Sequence, residues 1–241
     1  VMALASYSDK INKYDNVLKK LIKFNKDNFE LDLKFFDYYL FDKKENFFNK
    51  KLIEILGAPR RKDEKIKRHH ILIASASQRL FESSLINLLK ISNKKSGFNN
   101  IVLSGGTAMN CVMNGKLDNL NFYKDSHISY APDDSGVSIG AGLLTYYKFT
   151  KKNRTPYEIK ENYYGPSFTN KEIEKELKIL KLNFFVKKNI EKYTAYLINQ
   201  GFLIGWFQGR MEFGPRALGA RSIIADARSD KMQKELNLKV K

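Results

Sequence analysis

The residues best suited to bind an anion lie in a glycine-rich segment between residues 205 and 222. Three arginines, Arg210, Arg216 and Arg221, fall within twelve residues of one another there. Guanidinium groups bind phosphate and carboxylate through paired hydrogen bonds, and glycines let the backbone approach the same ligand. The segment predicts a site in which all three arginines and Glu212 bind substrate, Arg210 and Arg216 act in catalysis, and Glu212 orients one guanidinium. The alternative is an arginine-rich turn that pairs with Glu212 and Asp226.

Two adjacent glycines, Gly105 and Gly106, separate an apolar run from a helix-like pattern. Backbone without side chains, followed by a helix N-terminus with unpaired N–H groups, suits a nucleotide phosphate or ribose. The same residues also suit a tight turn from a strand into a helix. The glycine pair alone leaves both interpretations open.

A further candidate is Asp134, in the loop from Pro132 to Gly136. An aspartate between a strand and a helix can hold a divalent metal directly or through water. It can equally cap the helix, and the loop alone favours the cap. The other reactive side chains are weaker candidates, because His69 and His70 are neighbours that point about 100° apart on a helix. Cys111 lies inside a predicted helix without an obvious base.

Hydrophobic periodicity predicts the elements that position these residues. Apolar positions at three- and four-residue steps predict a helix from Arg68 to Ile91. The sequence then predicts a strand Asn100–Ser104, a helix Thr107–Lys116, a strand His127–Ala131 and a helix Val137–Phe149. Strands alternating with helices indicate an α/β layer. Residues 9–68 mix charged and aromatic residues, and they predict short helices or strands in a possible insertion.

A polar stretch, residues 151–164, predicts a linker to a second domain that begins at residue 165. Thr169 is followed three residues later by Glu172, which is a capping-box pattern. The sequence next predicts a strand Asn183–Lys187, a helix Glu191–Asn199 and a strand Phe202–Phe207. These elements indicate an α+β domain.

Composition narrows the class of protein. With 241 residues and 43% hydrophobic residues, the chain can fill the core of one large or two smaller domains. No apolar run of about 18 residues exists, so neither a spanning helix nor a membrane partner is expected. The single cysteine fits the cytoplasm, and no secretory signal is expected. The net charge of +17 comes from dispersed lysines, which favours a solvated basic surface over a nucleic-acid interface.

Taken together, the motifs resemble the NodU/CmcH carbamoyltransferase family. The resemblance covers about three quarters of the chain, but it does not extend to residues 9–68. It runs through residues 1–7, 70–78, 105–117, 132–142 and, most specifically, the Gly-Arg-Met-Glu-Phe-Gly-Pro-Arg-Ala-Leu-Gly-Ala-Arg-Ser stretch at 209–222.

The resemblance implies the C-terminal part of an actin-like (ASKHA) ATPase domain over residues 1–150, followed by the start of a YrdC-like α+β domain. It implies an enzyme that makes carbamoyl adenylate from ATP and carbamoyl phosphate and carbamoylates a hydroxyl of a small molecule or sugar, aided by a divalent metal, Mg or Fe. By position, Asp134 matches the metal- or phosphate-side aspartate. Gly105, Gly106 and Asn110 match the nucleotide-binding turn.

The resemblance also implies an interior fragment. The upstream half of the actin-like domain, with the family's histidine metal ligands, is expected to lie outside the chain, so these 241 residues alone are expected to be inactive. Two alternatives remain: an enzyme of the tRNA threonylcarbamoyladenosine type and a non-enzymatic actin-like nucleotide-binding module. The Gly-Pro-Arg-Ala-Leu-Gly stretch argues against the first alternative, and the second leaves the arginines unexplained.

Overall fold

The computed structural model describes residues 1–40, 47–153 and 161–240. Its α-helices are α1 (Met2–Ala5), α2 (Lys13–Lys19), α3 (Lys50–Leu56), α4 (Arg68–Ser96), α5 (Cys111–Leu117), α6 (Ser135–Thr150), α7 (Asn170–Ile179), α8 (Ile190–Asn199) and α9 (Met232–Val240). Its strands are β1 (Ile22–Phe24), β2 (Phe29–Leu31), β3 (Asn100–Leu103), β4 (Asp125–Ile128), β5 (Ile204–Phe207) and β6 (Arg221–Ile224). They pair as β1–β2, β3–β4 and β5–β6.

Contacts divide the chain into two compact units. Unit 1 contains residues 1–103 and 107–127, and unit 2 contains residues 104–106 and 128–241. The Gly105-Gly106 turn therefore belongs to unit 2, together with the loop that contains Asp134 and the arginine segment.

Unit 1 is built around α4, which has 29 residues. The predicted helix from Arg68 is confirmed, and it continues five residues past Ile91 to Ser96 before Gly97 ends it in the left-handed conformation, with φ 70°. Its buried Ala76 packs with an apolar cluster from the preceding residues. The other buried members are Tyr14, Leu18, Leu21 and Phe35.

An ion pair between Asp15 and Arg79 joins α2 to α4. Asn12 and Asp15 form a capping box at the start of α2. The Nε of Arg79 lies 2.7 Å from Oδ1 of Asp15, and its Nη2 lies 2.8 Å from Oδ2. The Arg79 hydrogen bonds lower the pKa of Asp15, although partial burial opposes them. Residues 9–68, predicted as short elements, thus supply much of the core against α4.

The predicted helix Thr107–Lys116 is wrong as one piece. A 3₁₀-helix covers Gly106–Met109, and α5 begins only at Cys111. The reason is Asn110, whose extended backbone and side-chain oxygen cap α5 by accepting the N–H of Met113 at 3.1 Å. The predicted strand His127–Ala131 is displaced toward the N-terminus. Pairing with β3 forms β4 from Asp125 to Ile128 instead.

In unit 2, α6 and α8 form where the sequence predicted helices, and α7 begins with the predicted Thr169–Glu172 capping box. β5 and β6 pair antiparallel, with Trp206 opposite Ser222. The predicted strand Asn183–Lys187 is wrong, since these residues adopt neither helix nor strand. Half of the predicted linker, residues 154–160, lies outside the described residues.

The described residues mix helix and strand, and the actin-like and YrdC-like assignments stay predictions. Within the described ranges, no helix is both long and apolar enough to span a membrane.

Candidate anion and nucleotide site

The Gly105-Gly106 turn lies against the loop that contains Asp134. The N–H of Gly105 donates to the carbonyl oxygen of Pro132 at 2.6 Å. Gly105 has φ +92°, a conformation that disfavours any side chain. A Cβ built at Gly106 would meet no atom within 4 Å, so the space above this glycine is open. The structure thus brings two of the predicted motifs together and leaves room beside one of them.

The arginine segment, residues 209–222, reaches the same place through Gly214. A Cβ at Gly214 would lie 2.5 Å from the carbonyl oxygen of Tyr130 and 3.3 Å from the Cβ of Ala131. A Cβ at Gly136, on the opposite end of the loop, would lie 2.1 Å from the carbonyl oxygen of Ala131. Both glycines are needed for close backbone approach. Three motifs that are separate in sequence therefore meet within unit 2 at residues 130–132.

Aromatic and backbone contacts fix this arrangement. The ring of Tyr130 lies 5.8 Å from that of Tyr164 and makes an edge contact with Phe213 at 6.4 Å. The N–H of Gly165 donates to the carbonyl of Met211, and that of Phe213 donates to Asn162, at 2.9 and 2.8 Å. Residues 162–165 therefore pack on the arginine segment.

A buried carboxylate organises the arginine segment from inside. Glu212 is only 1% exposed. Its Oε1 accepts the backbone N–H groups of Leu218 at 2.9 Å, Ala220 at 2.7 Å and Arg221 at 3.4 Å. Burial alone would raise the pKa of Glu212, but its own backbone N–H and those of Leu218, Ala220 and Arg221 together outweigh burial and hold the pKa below its usual value. Glu212 is thus a charged structural centre.

Arg221 is engaged by the same segment. Its Nε faces Oε2 of Glu212 at 3.5 Å, an ion pair without a well-aligned hydrogen bond. Its Nη2 donates to the carbonyl of Gly214 and, at 3.3 Å, to that of Arg216. We call Glu212, Gly214, Ala220 and Arg221 the Glu212 cluster. The predicted pairing of Glu212 with a guanidinium is present, and that guanidinium also braces the backbone that carries Arg216.

The second acidic residue weighed for this segment, Asp226, lies outside the cluster. It binds Arg228 instead, with Nε and Nη2 each 2.8 Å from a carboxylate oxygen. The hydrogen bonds from Arg228 lower the pKa of Asp226 to about 2.

A cleft of about 410 Å³ lies beside the arginine segment and shares Ala220 with the Glu212 cluster. It is lined by Glu161, Tyr163, Gln208, Gly209, Arg210, Gly219 and Ala220. Arg210 and Arg216 are both exposed, but only Arg210 lines the cleft. The three predicted arginines therefore separate into one in the cleft, one on the surface and one in the Glu212 cluster. Tyr163 and Glu161 were missed, since they lie in the predicted linker.

Asp134 occupies the first position before α6 and is exposed. Its side chain makes no capping bond to α6, whereas neighbouring Asp133 accepts the hydroxyl of Ser135 at 2.6 Å. In the described ranges, no group of three His, Cys, Asp or Glu side chains is placed to hold a metal. A single uncommitted carboxylate fits Mg²⁺, which proteins often hold through one or two carboxylates and substrate phosphates. The predicted N-cap position of this aspartate is confirmed, but its side chain makes no capping hydrogen bond.

Asn110, the third residue of the predicted nucleotide-binding turn, lies in unit 1 and forms an amide pair. Its Oδ1 and Nδ2 each make a 3.0 Å hydrogen bond with the amide of Gln78. Gln78 also donates to buried Glu82 at 2.8 Å, and Glu82 pairs with Lys116. Sequence reasoning missed this network, although the four-residue spacing of Gln78 and Glu82 on a helix is the signal that could have indicated it.

Two of the weaker candidates from the sequence, His70 and Cys111, make contacts within unit 1. His70 caps α4 by accepting the N–H of Lys67 at Nδ1, at 3.1 Å. The Sγ of Cys111 lies 3.7 Å from the Sδ of Met2, and the thiol is exposed.

Comparison with known proteins identifies the family. The family described as carbamoyltransferase N-terminus matches residues 1–143, and that described as carbamoyltransferase C-terminus matches residues 195–241. The chain belongs to the carbamoyltransferase family. The match includes residues 9–68, where the sequence alone showed no resemblance.

Several curated proteins are similar to this chain. An uncharacterized protein of Synechocystis is 36% identical over all of the chain and 40% of its own length. Nodulation protein NolO of Bradyrhizobium diazoefficiens is 33% identical over 76% of the chain and 34% of its own length. The 3'-hydroxymethylcephem-O-carbamoyltransferase of Streptomyces clavuligerus is 26% identical over 57% of the chain and 25% of its own length. The chain thus spans less than half the length of these relatives.

Proposed function

We propose that the whole protein is an ATP-dependent O-carbamoyltransferase that converts carbamoyl phosphate to carbamoyl adenylate and carbamoylates a hydroxyl of a small molecule or sugar. Membership of the carbamoyltransferase family supports the transfer. One named relative acts on the hydroxymethyl group of a cephem, which supports a small-molecule hydroxyl as the acceptor.

The observation that carries the proposal is the meeting of three motifs at residues 130–132. Gly106 leaves open space beside a turn, and Asp134 presents an uncommitted carboxylate on the loop next to that turn. The arginine segment is anchored to the same residues through Gly214. Space for a nucleotide, an acidic ligand for Mg²⁺ and a basic segment for phosphate are the parts that adenylate chemistry requires.

In this proposal each group has a limited task. The N–H of Gly105 is used by Pro132, so Gly106 offers the open backbone for the nucleotide. Asp134 would hold the metal, which supplies charge neutralisation for the phosphates when bound. Arg210 would bind carbamoyl phosphate in the cleft that it lines, while Arg216 offers a second cation on the segment that Arg221 braces.

The test is product formation by the whole protein. Water releases phosphate from carbamoyl phosphate and leaves carbamate, and attack of the carbamate on ATP forms the adenylate and displaces pyrophosphate. Transfer of the carbamoyl group to a hydroxyl then releases AMP. Phosphate, pyrophosphate and AMP are therefore all measured with ATP, Mg²⁺ and carbamoyl phosphate. Asp134→Asn removes the charge and keeps the shape, and we expect turnover to fall about 100-fold. Asp133→Asn, the adjacent carboxylate, is the matched control. Pyrophosphate release that does not depend on carbamoyl phosphate, or equal turnover in Asp134→Asn, would refute the proposal.

A further inference from the structure

Unit 1 contains a cleft that the carbamoyl-transfer chemistry does not use. It has a volume of about 210 Å³ and lies between α3, the loop after it and the first turns of α4. Its walls are mainly apolar, with side chains of Phe48, Ile53, Leu56, Pro59 and Ile73. Binding sites for small molecules are typically apolar concavities of this kind, with a few polar groups that orient the ligand.

The polar groups at this cleft are basic or hydrogen-bond donors. Arg60, His69 and His70 complete the lining. The Nη1 of Arg60 donates to the carbonyls of Lys62, at 3.3 Å, and Glu64, at 2.5 Å. These two bonds hold the guanidinium in place at the rim, so its remaining N–H groups do not have to be ordered when a ligand binds.

His70 is also held in one state. Its Nδ1 accepts the N–H of Lys67, which places the proton of the neutral ring on Nε2 as a donor. Desolvation, followed by the neighbouring His69, lowers the pKa of His70 and favours that neutral form. The rings of His69 and His70 lie 3.9 Å apart between their centroids.

Glu64, whose carbonyl oxygen accepts from Arg60, has its carboxylate paired elsewhere. Oε1 of Glu64 lies 2.6 Å from Nζ of Lys67, and its Oε2 accepts the N–H of Arg61 at 3.4 Å. Among the described residues that line the cleft, none is acidic. A ligand with a negative charge would therefore meet a fixed cation and a histidine donor without opposition from a lining carboxylate.

We propose that this cleft binds a small aromatic or branched apolar acid, with its apolar body against Ile53 and Leu56 and its carboxylate at Arg60. The proposal does not depend on the carbamoyl-transfer function, because it rests on residues of unit 1 alone. The cleft volume matches a single ring or a group of similar bulk. The anchored guanidinium selects a carboxylate, which accepts two parallel hydrogen bonds from an arginine.

The experiment compares two probes that differ in charge. Binding of 4-fluorobenzoate and of 4-fluorobenzyl alcohol to the chain is followed by fluorine NMR line width. We expect the acid to bind about tenfold more tightly than the alcohol, since a charge-assisted pair adds about one factor of ten or more. Equal binding of the two probes, or binding of neither, would overturn the proposal.

Two pairs of variants locate the site. Ile53→Trp fills the cleft and should abolish binding of both probes, whereas Ile66→Trp, an exposed isoleucine outside the lining, should not. Arg60→Leu should weaken the acid about tenfold and leave the alcohol unchanged, whereas neighbouring Arg61→Leu should change neither. If Ile53→Trp does not fold, the Arg60 and Arg61 pair decides. Equal loss in both arginine variants would assign the binding to general surface charge and refute the site.

Discussion

The arginine segment has two parts that use similar residues in opposite ways. In the Glu212 cluster the two charged groups are engaged by the segment itself, because Oε1 of Glu212 accepts backbone N–H groups, Nη2 of Arg221 donates to backbone carbonyls, and the two side chains form an ion pair at 3.5 Å. By contrast, Arg210 lines a cleft of about 410 Å³ and is exposed. An arginine-rich sequence is therefore not by itself a binding site. One arginine builds the loop and leaves another available for a ligand.

Replacing Glu212 is expected to have the largest effect on the stability of the Glu212 cluster. In Glu212→Ala the backbone N–H groups of Leu218, Ala220 and Arg221 lose their acceptor, and the charge of Arg221 loses its counterion. We expect unit 2 to lose about 3–5 kcal/mol of unfolding free energy, the usual effect of breaking a buried pair. Urea denaturation followed by the fluorescence of Trp206, the single tryptophan, measures it because Trp206 lies opposite Ser222 in the β5–β6 pair. A loss under about 1 kcal/mol would mean that the cluster is not the structural centre.

The next largest effect separates two glycines of the same segment. Gly214 has φ +106° and would place a Cβ 2.5 Å from the carbonyl of Tyr130, whereas Gly209 has φ +69° and open space around it. We expect Gly214→Ala to cost about 3 kcal/mol from strain and overlap, and Gly209→Ala about 1 kcal/mol from strain alone. The same fluorescence measurement compares them. Equal costs would show that Gly214 is required only for its backbone angle.

Lysine substitutions sharpen the contrast between the two parts. Arg221→Lys cannot reach Gly214 and Glu212 together, so we expect a loss of about 1–2 kcal/mol in stability. Arg210→Lys should leave stability within about 0.5 kcal/mol and weaken carbamoyl phosphate binding to the whole protein, measured by calorimetry. If Arg210→Lys binds as tightly as the parent, the cleft is not the anion site. If Arg221→Lys alone loses affinity at unchanged stability, the two roles are reversed.

The smallest effect is a pH dependence. The pKa of Glu212 is lower in the folded chain than its usual 4.5, so the unfolded chain takes up the proton first as the pH falls. This contribution is fully present above about pH 4.5 and is lost as the pH falls through the folded pKa. Glu212→Gln lacks it, so the stability difference between parent and variant should shrink below that pH. The contributions of Asp15 and Asp226, whose pKa values are also lowered, cancel in the difference. If the difference in unfolding free energy between parent and variant does not change with pH, the Glu212 carboxyl does not contribute to the pH dependence of stability.

Local patterns in the sequence predicted much of the fold. The helix from Arg68 and the capping box at Thr169 depend on residues three or four apart, and both are confirmed. The predicted strand at 183–187 is wrong because a short apolar run becomes a strand only when a partner backbone pairs with it. The break at Asn110 was missed because its side chain satisfies both the cap of α5 and the amide of Gln78, a residue on another helix.

The residue types of the candidate site could be predicted from the sequence, but the separate role of each arginine could not. Glycine and arginine at 209–222 indicated anion binding, and the family match at residues 195–241 includes all of that segment. Which arginine would be internal depended on where a buried carboxylate lies, and a sequence does not show burial of a glutamate. The contact of Gly214 with Tyr130 joins residues that are far apart along the chain, which only the folded structure reveals.

The hydrogen bonds of Glu212 have a consequence for the order in which the chain folds. They join residues six, eight and nine positions apart in the sequence, whereas the Asp15–Arg79 ion pair joins residues 64 positions apart. Loops of about ten residues close on the order of 10–100 ns, far faster than strands or helices distant in sequence can meet. During synthesis, the loop around Glu212 can therefore close soon after Arg221 leaves the ribosome. Tyr130 is translated before this loop, so Gly214 would meet the backbone of Tyr130 with the loop already formed.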